Sequence, residues 1–184
     1  MKTEYLGKVH KGLPLAGYTT LKIGGAGEYV FFPSTIEELI SVREFLKANN
    51  KKITIIGAGS NLLISSQGIE GGVIFTSNLK DYRVFEDGAI QVASGVRSTN
   101  IAKLLYNESL TGLEFLIGIP GSLGGAVTMN SSAHGQSIKD VIISSEVLDI
   151  ETGEVITMGK DELELNYRSS FVQKSRHIIL SSTF

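Results

Sequence analysis

Leu113-Glu114-Phe115-Leu116-Ile117-Gly118-Ile119-Pro120-Gly121-Ser122-Leu123-Gly124-Gly125-Ala126-Val127-Thr128-Met129-Asn130 is an apolar run that passes through Gly-Ile-Pro-Gly and a Gly-Gly pair before turning apolar again. The backbone must bend sharply there while staying buried, because proline fixes φ on one side of the bend and glycine, lacking Cβ, allows close approach. A solvated loop would be polar. The stretch therefore lies against another chain segment or a largely apolar ligand. It is one of several glycine clusters: 21 of the 184 residues are glycine, grouped at Gly24-Gly25, Gly57 to Gly59, Gly71-Gly72 and Gly118 to Gly125.

Upstream of that bend, Ile53 to Ile56 reads as a short β-branched strand running straight into Gly57-Ala58-Gly59-Ser60-Asn61. A glycine turn after a strand is where backbone amides converge on phosphate, although a Gly-x-Gly alone is also an ordinary turn. Leu62 occupies the sixth position and no helix is predicted to follow, so the dinucleotide fingerprint is missing, as is the Gly-Lys-Ser/Thr of a P-loop. Before the strand, Ser34 and Glu37 have capping-box spacing ahead of a helix with Ile36, Leu39, Ile40, Phe45 and Leu46 on its apolar face. Leu62-Leu63-Ile64 is expected to form a further strand, as is Val73 to Thr76.

Tyr82 to Phe85 and Ala89 to Ala93 form a hairpin across Glu86-Asp87-Gly88. Ser98 or Thr99 caps a helix carrying Ile101, Leu104 and Leu105. A second hairpin joins Val141 to Ile150 with Val155 to Met158, Asp161 to Leu165 suggests a helical turn, and His177 to Ser182 a last strand. Hairpins predict antiparallel pairing. The fold class is α+β in two small lobes, residues 1–77 and 78–184.

Composition narrows the function. The chain is 42% hydrophobic and 20% charged, with 17 basic and 19 acidic residues for a net charge of −2, and no basic run suits a phosphate backbone. Nucleic acid is not an expected partner. Without cysteine there are no disulfides, thiolate zinc clusters or thiol nucleophiles, so redox chemistry requires a bound cofactor, and no metal is expected. Met1-Lys2-Thr3-Glu4-Tyr5 has no apolar signal core and no segment reaches the roughly 18 apolar residues of a membrane span, which predicts a cytoplasmic protein. A serine hydrolase built on His10, His134 or His177 finds no Gly-x-Ser-x-Gly elbow and no evident acidic partner.

Four motifs occur in order: Thr19-Thr20-Leu21-Lys22-Ile23-Gly24-Gly25, Ile55-Ile56-Gly57-Ala58-Gly59-Ser60-Asn61-Leu62-Leu63, Gly112-Leu113-Glu114-Phe115 through Ala126 to Met129-Asn130, and Tyr167-Arg168-Ser169-Ser170. With these the chain resembles the amino-terminal part of the UDP-N-acetylenolpyruvoylglucosamine reductase (MurB) family, whose flavin region has the vanillyl-alcohol-oxidase (PCMH) type of fold. The resemblance covers essentially the whole chain. It implies noncovalent FAD, NADPH as hydride donor and a UDP-sugar substrate in peptidoglycan synthesis. It further implies that Ile56, Gly57, Ala58, Gly59, Ser60, Asn61 and Leu62 wrap the FAD diphosphate. Ile119, Pro120, Gly121, Ser122, Gly124, Gly125 and Ala126, with Asn130 beyond them, would run along the flavin.

Arg168 matches the family's active-site arginine, a permanent cation suited to the enolate-like charge that develops when hydride reaches the enolpyruvyl group. Read without the motif it is a surface ion-pair partner. Tyr167 is either a substrate contact or a core aromatic, Thr20 and Lys22 either flavin contacts or parts of an entering strand, and Ser170 a support for the arginine. After Asn130 the family usually continues Ala-Gly-Ala-Tyr-Gly, whereas here Ser131-Ser132-Ala133-His134-Gly135 stands; His134 is expected to pack or make a polar contact. A carboxy-terminal substrate-binding domain, with the family's proton-donating serine and glutamate, is expected to be absent after Phe184, leaving the 184 residues with little activity of their own. The alternative is a catalytically inactive flavin-binding module.

Overall fold

The computed structural model describes residues Gly7 to Phe184; the Met1–Tyr5 stretch considered above lies outside the described residues. Contacts divide the chain into two compact units, Met1–Leu79 and Lys80–Phe184.

The first unit holds β1 (His10–Pro14), β2 (Ala26–Phe31), α1 (Ile36–Ala48), β3 (Ile53–Ile56) and β4 (Ile69–Phe75) in a four-stranded sheet ordered β1-β2-β4-β3. Only β1 and β2 are antiparallel; β4 runs parallel to both β2 and β3. The expected antiparallel pairing is thus corrected here, because the β2-α1-β3 crossover brings β3 into the sheet in the same direction, with β4 filling the gap between. As the central parallel strand, β4 is buried from Gly71 to Phe75 on both faces, which is why it reads as a continuous apolar run. On one face Leu15, Val30, Ile56, Ile64, Val73 and Phe75 form a core. On the other, the Phe45 ring of α1 meets Phe31 at 6.0 Å and Tyr29 at 6.5 Å, while Leu39, Val42 and Leu46 supply the buried helical stripe.

Helix α1 starts one residue later than its sequence suggests. Thr35 is the N-cap, its hydroxyl accepting from the Glu38 amide, and the Glu38 carboxylate reaches back to the Ser34 amide at 2.7 Å. The cap is therefore Thr35, with Glu38 bonded back to the residue before it, and the expected Ser34–Glu37 capping box is not formed. Leu62-Leu63-Ile64 is irregular, not a strand: its backbone is used to cross behind Gly24 and Gly25 before β4 begins at Ile69.

The second unit contains β5 (Tyr82–Val84), β6 (Ile90–Ala93), α2 (Ser98–Asn107), α3 (Leu123–Thr128), the two-residue strands β7 (Ser132–Ala133) and β8 (Gln136–Ser137), α4 (Ile138–Val141), β9 (Ser144–Asp149), β10 (Val155–Gly159), α5 (Phe171–Lys174) and β11 (His177–Thr183). Its main sheet is fully antiparallel, ordered β10-β9-β11-β6-β5, with a bulge in β11 between Ile179 and Ser181. Ile101 and Leu105 of α2, Leu123 and Val127 of α3, and Val92, Val147 and Ile179 of the strands share one core. Three expectations change. Arg97, with no side-chain bond, takes the N-cap of α2, and Ser98 is its first helical residue. Asp161 to Leu165 forms turns and not a helix, and Val141 belongs to α4, so that β9 begins only at Ser144. The glycine stretch contains a six-residue helix, α3, that its Gly-Gly pair conceals.

Candidate functional site

In the first unit, β3 ends at Ile56 and the chain turns at once through Gly57 to Asn61. Gly59 adopts φ +67, and a Cβ there would lie 2.0 Å from the Tyr18 carbonyl oxygen, so no other residue fits without moving the backbone. The Thr20 amide donates to the Gly59 carbonyl at 3.1 Å, and the Gly25 amide to Ser65 at 2.8 Å. The Thr19–Gly25 motif and the glycine turn are thereby laced together, Thr20 and Lys22 lying in this loop and not in a strand. Among the described residues, the amides of Ala58, Gly59 and Asn61 donate no intramolecular hydrogen bond. Free donors on a left-handed glycine turn suit an anion with several acceptor oxygens. Leu62 and Leu63 are exposed beside them.

In the second unit the proline bend follows a 3-10 turn at Glu114–Gly118. The Leu123 amide donates to Val96 at 2.8 Å, Gly124 to Ser94 at 2.9 Å, and Ser98 to Gly121 at 3.1 Å. A Cβ on Gly124 would come within 2.9 Å of the Ser94 Cβ, so the bend presses directly on the segment after β6. Its outer side exposes Ile117, Gly118, Pro120 and Gly125, an apolar surface with few side chains, while Ser122, Leu123, Gly124 and Ala126 are buried. The hydroxyls of Ser94, Ser98 and Ser122 are buried without a hydrogen-bond partner among the described residues. Such groups are costly to leave unpaired, and clustering behind a bend of this shape they fit a site whose polar partner comes from outside the chain. Sequence reasoning passed over Ser94, because an isolated serine after a strand carries no signal until its neighbours are known.

The third element is the turn at Asn166–Ser169, closed by Asn166 N–H to Ser169 O at 3.0 Å and the reverse bond at 3.2 Å. Tyr167 and Arg168 form its tip. Tyr167 is 90% exposed, which removes the core-aromatic reading, and Arg168 is exposed with no ion pair among the described residues, which removes the ion-pair reading. Arg168 also sits at φ +52, in the left-handed region that a turn at this position reserves for glycine or asparagine. Ser170, buried, donates from its hydroxyl to Thr128 O at 2.8 Å and caps α5 by accepting from the Gln173 amide. Asn130, at φ +42, accepts from the Lys139 amide at 2.9 Å and donates to Asn166 O at 3.1 Å.

The break in the usual pattern after Asn130 is accommodated. Ser132 lies in β7 with an extended backbone, so no glycine is needed there, and His134 sits exposed at the tip of the β7–β8 hairpin at φ +52. Its exposed ring makes no hydrogen bond, ion pair or ring contact among the described residues, so the expected polar contact is not formed there. Just beyond, the Ser137 hydroxyl and amide hold the Asp140 carboxyl below the usual carboxylate range and fix the first turn of α4.

A glycine turn with free amides, and a side-chain-poor bend backed by unpartnered hydroxyls, are features that a flavin-nucleotide-binding domain would use. The chain belongs to that family: the "FAD binding domain" family matches residues 27–159. Within it, the chain is similar to UDP-N-acetylenolpyruvoylglucosamine reductases. It is 43% identical to that of Lachnoclostridium phytofermentans over 175 residues, 93% of this chain and 56% of that protein. The crystal structure of UDP-N-acetylenolpyruvylglucosamine reductase from Thermus caldophilus superposes with a TM-score of 0.79 at 28% identity, covering 95% of this chain and 60% of that one. The BBE-like #28 protein of Arabidopsis thaliana shares the fold alone, with a TM-score of 0.70 at 14% identity over 95% of this chain and 40% of that one. The chain spans a little over half the length of the curated relatives it matches, 55% and 56% for two of them.

Proposed function

We propose that this chain is the flavin domain of a UDP-N-acetylenolpyruvoylglucosamine reductase, serving the NADPH-dependent reduction of UDP-N-acetylglucosamine enolpyruvate to UDP-N-acetylmuramate for cytoplasmic peptidoglycan-precursor synthesis. The reading is supported by the similarity over 93% of the chain and by the two cradles described above. Ile56 to Leu62 hold the diphosphate, the free amides of Ala58, Gly59 and Asn61 donating to its oxygens. Ile119 to Ala126 give the flat ring close backbone approach, with Ser122 offering a hydroxyl and Asn130 closing the segment. When bound, FAD supplies hydride transfer, accepting from NADPH and delivering to the enolpyruvyl group.

Arg168 receives the negative charge that develops on the substrate as hydride arrives. Its guanidinium stays charged throughout and meets a carboxylate in a bidentate fork, so no proton has to move at that atom. Tyr167, at the same turn, lies open to the UDP-sugar. No helix among the described residues is long and apolar enough to cross a membrane.

The observation that carries the proposal is the set of amides of Ala58, Gly59 and Asn61 at the left-handed Gly59 turn, which donate to no partner among the described residues. Titration of the purified protein with FAD tests it, followed by visible absorption and quenching of flavin fluorescence. Stoichiometric uptake of one FAD is expected. A colourless protein that leaves flavin fluorescence unchanged would refute the assignment.

A further inference from the structure

The left-handed conformation of Arg168 is a backbone outlier with a visible cause. An arginine at φ +52 pays a steric penalty that glycine would avoid, and such outliers persist only where the surroundings enforce them. The turn that carries it is exposed, short, and linked across its base by only two backbone hydrogen bonds. What fixes it to the body of the second unit is Asn130. The side-chain amide donates to the carbonyl of Asn166, the first residue of the turn, at 3.1 Å. The carbonyl end of the same amide accepts from Lys139 at 2.9 Å, in the first turn of α4, where the Ile138 amide also bonds Ser131 O at 3.0 Å.

We infer that Asn130 is a positioning residue: its side chain ties the Asn166–Ser169 turn to α4 and so holds Arg168 in the strained conformation that presents its guanidinium. This rests on the reading of Arg168 as the active-site arginine, and it gives Asn130 a role through Arg168 instead of direct contact with the cofactor. Asparagine suits the position twice. It tolerates the left-handed backbone found at φ +42, and it has one donor and one acceptor at opposite sides of a planar group, which a carboxylate or an aliphatic side chain lacks. Ser170 fixes the far side of the turn through Thr128 O and the core residue Leu165 precedes its near side, so that loss of Asn130 removes the side-chain tether between the turn and α4.

Two variants separate this role from a general structural one. Asn130→Gly keeps the left-handed backbone without strain but deletes the tether; Asn130→Asp keeps the acceptor for Lys139 and turns the donor toward Asn166 into a repelling oxygen. Limited trypsin digestion of the whole chain, read by mass spectrometry at the Arg168–Ser169 bond, reports the freedom of the turn. Cleavage there is expected to be about 10-fold faster in both variants, the factor that corresponds to losing about 1.4 kcal/mol of restraint. Thermal midpoints should stay within about 3 °C of the parent. Cleavage at the parent rate in Asn130→Asp would overturn the inference, and so would a rise matched at every other tryptic site. Should Asn130→Gly fail to fold, the Asn130→Asp result decides alone. Because digestion needs no flavin, a failure of the functional reading shows separately, as absent FAD uptake by the parent.

Discussion

Replacing Arg168 by glycine should make the protein more stable while abolishing what the residue is there to do. The side chain is exposed and forms no ion pair or hydrogen bond among the described residues, so its removal breaks neither. The backbone at φ +52 costs a non-glycine residue about 1–2 kcal/mol. Against this, glycine is freer in the unfolded chain, which returns about 0.4–1 kcal/mol. The net gain is about 0.5–1 kcal/mol, and for a chain of 184 residues each kcal/mol moves the midpoint by about 2–4 °C. A rise of about 1–4 °C is therefore expected for Arg168→Gly. Arg168→Ala is the control: it deletes the same guanidinium but keeps Cβ and hence the strain, so its midpoint should stay at or below that of the parent. Circular dichroism suits the measurement, since the chain contains no tryptophan. Both variants should bind FAD like the parent. A glycine variant no more stable than the alanine variant would show that the turn is not strained, and the argument that Arg168 is held in place for function would fall with it.

Two further changes probe the two halves of the fold. Gly59→Ala puts a methyl group 2.0 Å from the Tyr18 carbonyl oxygen at φ +67, so the glycine turn and the Thr19–Gly25 loop must separate. A loss of about 2 kcal/mol in urea denaturation and at least about 10-fold weaker FAD binding are expected, whereas affinity within a factor of two of the parent would contradict the proposed diphosphate grip. In the second unit, bonds from Ser137 lower the Asp140 carboxyl from its usual 3.8. A carboxylate with a depressed folded value contributes stability above its unfolded value, and that contribution disappears as pH falls through the folded one. The denaturation midpoints of the parent and Asp140→Asn should accordingly differ at pH 6 and converge as pH drops below about 3.8; a gap that stays constant down to pH 2.5 would contradict the assignment of that capping contact.

The elements with a strong local signature were legible in the sequence. Ile53 to Ile56, the Tyr82 hairpin and the helix after Pro33 are written in β-branched runs, a turn dipeptide and an apolar stripe, each of which acts over a few residues. What local patterns did not reveal depended on distant partners. The parallel direction of β4 is set by the crossover through α1, and the irregular path of Leu62 to Ile64 by the close passage of Gly24 and Gly25. Helix α3 forms despite two glycines because its amides at Leu123 and Gly124 are taken up by Val96 and Ser94, a tertiary contact that outweighs helix propensity. Likewise the residues named for the cofactor came from motif order, whereas Ser94 and the tether from Asn130 to Asn166 emerged only from the fold.

The two cradles solve one problem in different ways. A ligand gripped by main-chain amides needs those amides held still, yet a loop free to donate outward lacks the internal bonds that would stiffen it. In the first unit rigidity comes from beneath: the glycine turn leaves the carboxyl end of β3, which is paired in parallel register with the buried Gly72–Phe75 part of β4, the end at which open parallel sheets bind ligands. In the second unit the bend is stiffened from behind, where the carbonyls of Ser94 and Val96, just after β6, accept from Gly124 and Leu123, and the Gly121 carbonyl accepts from the Ser98 amide. Glycine is required at both because the stiffening partner sits closer than a Cβ permits, 2.0 Å at Gly59 and 2.9 Å at Gly124. The glycine content thus reflects closeness to the scaffold as much as the proposed closeness to a cofactor. It follows that alanine at Gly59 or Gly124 should lower the stability of the flavin-free protein as well as its affinity for FAD.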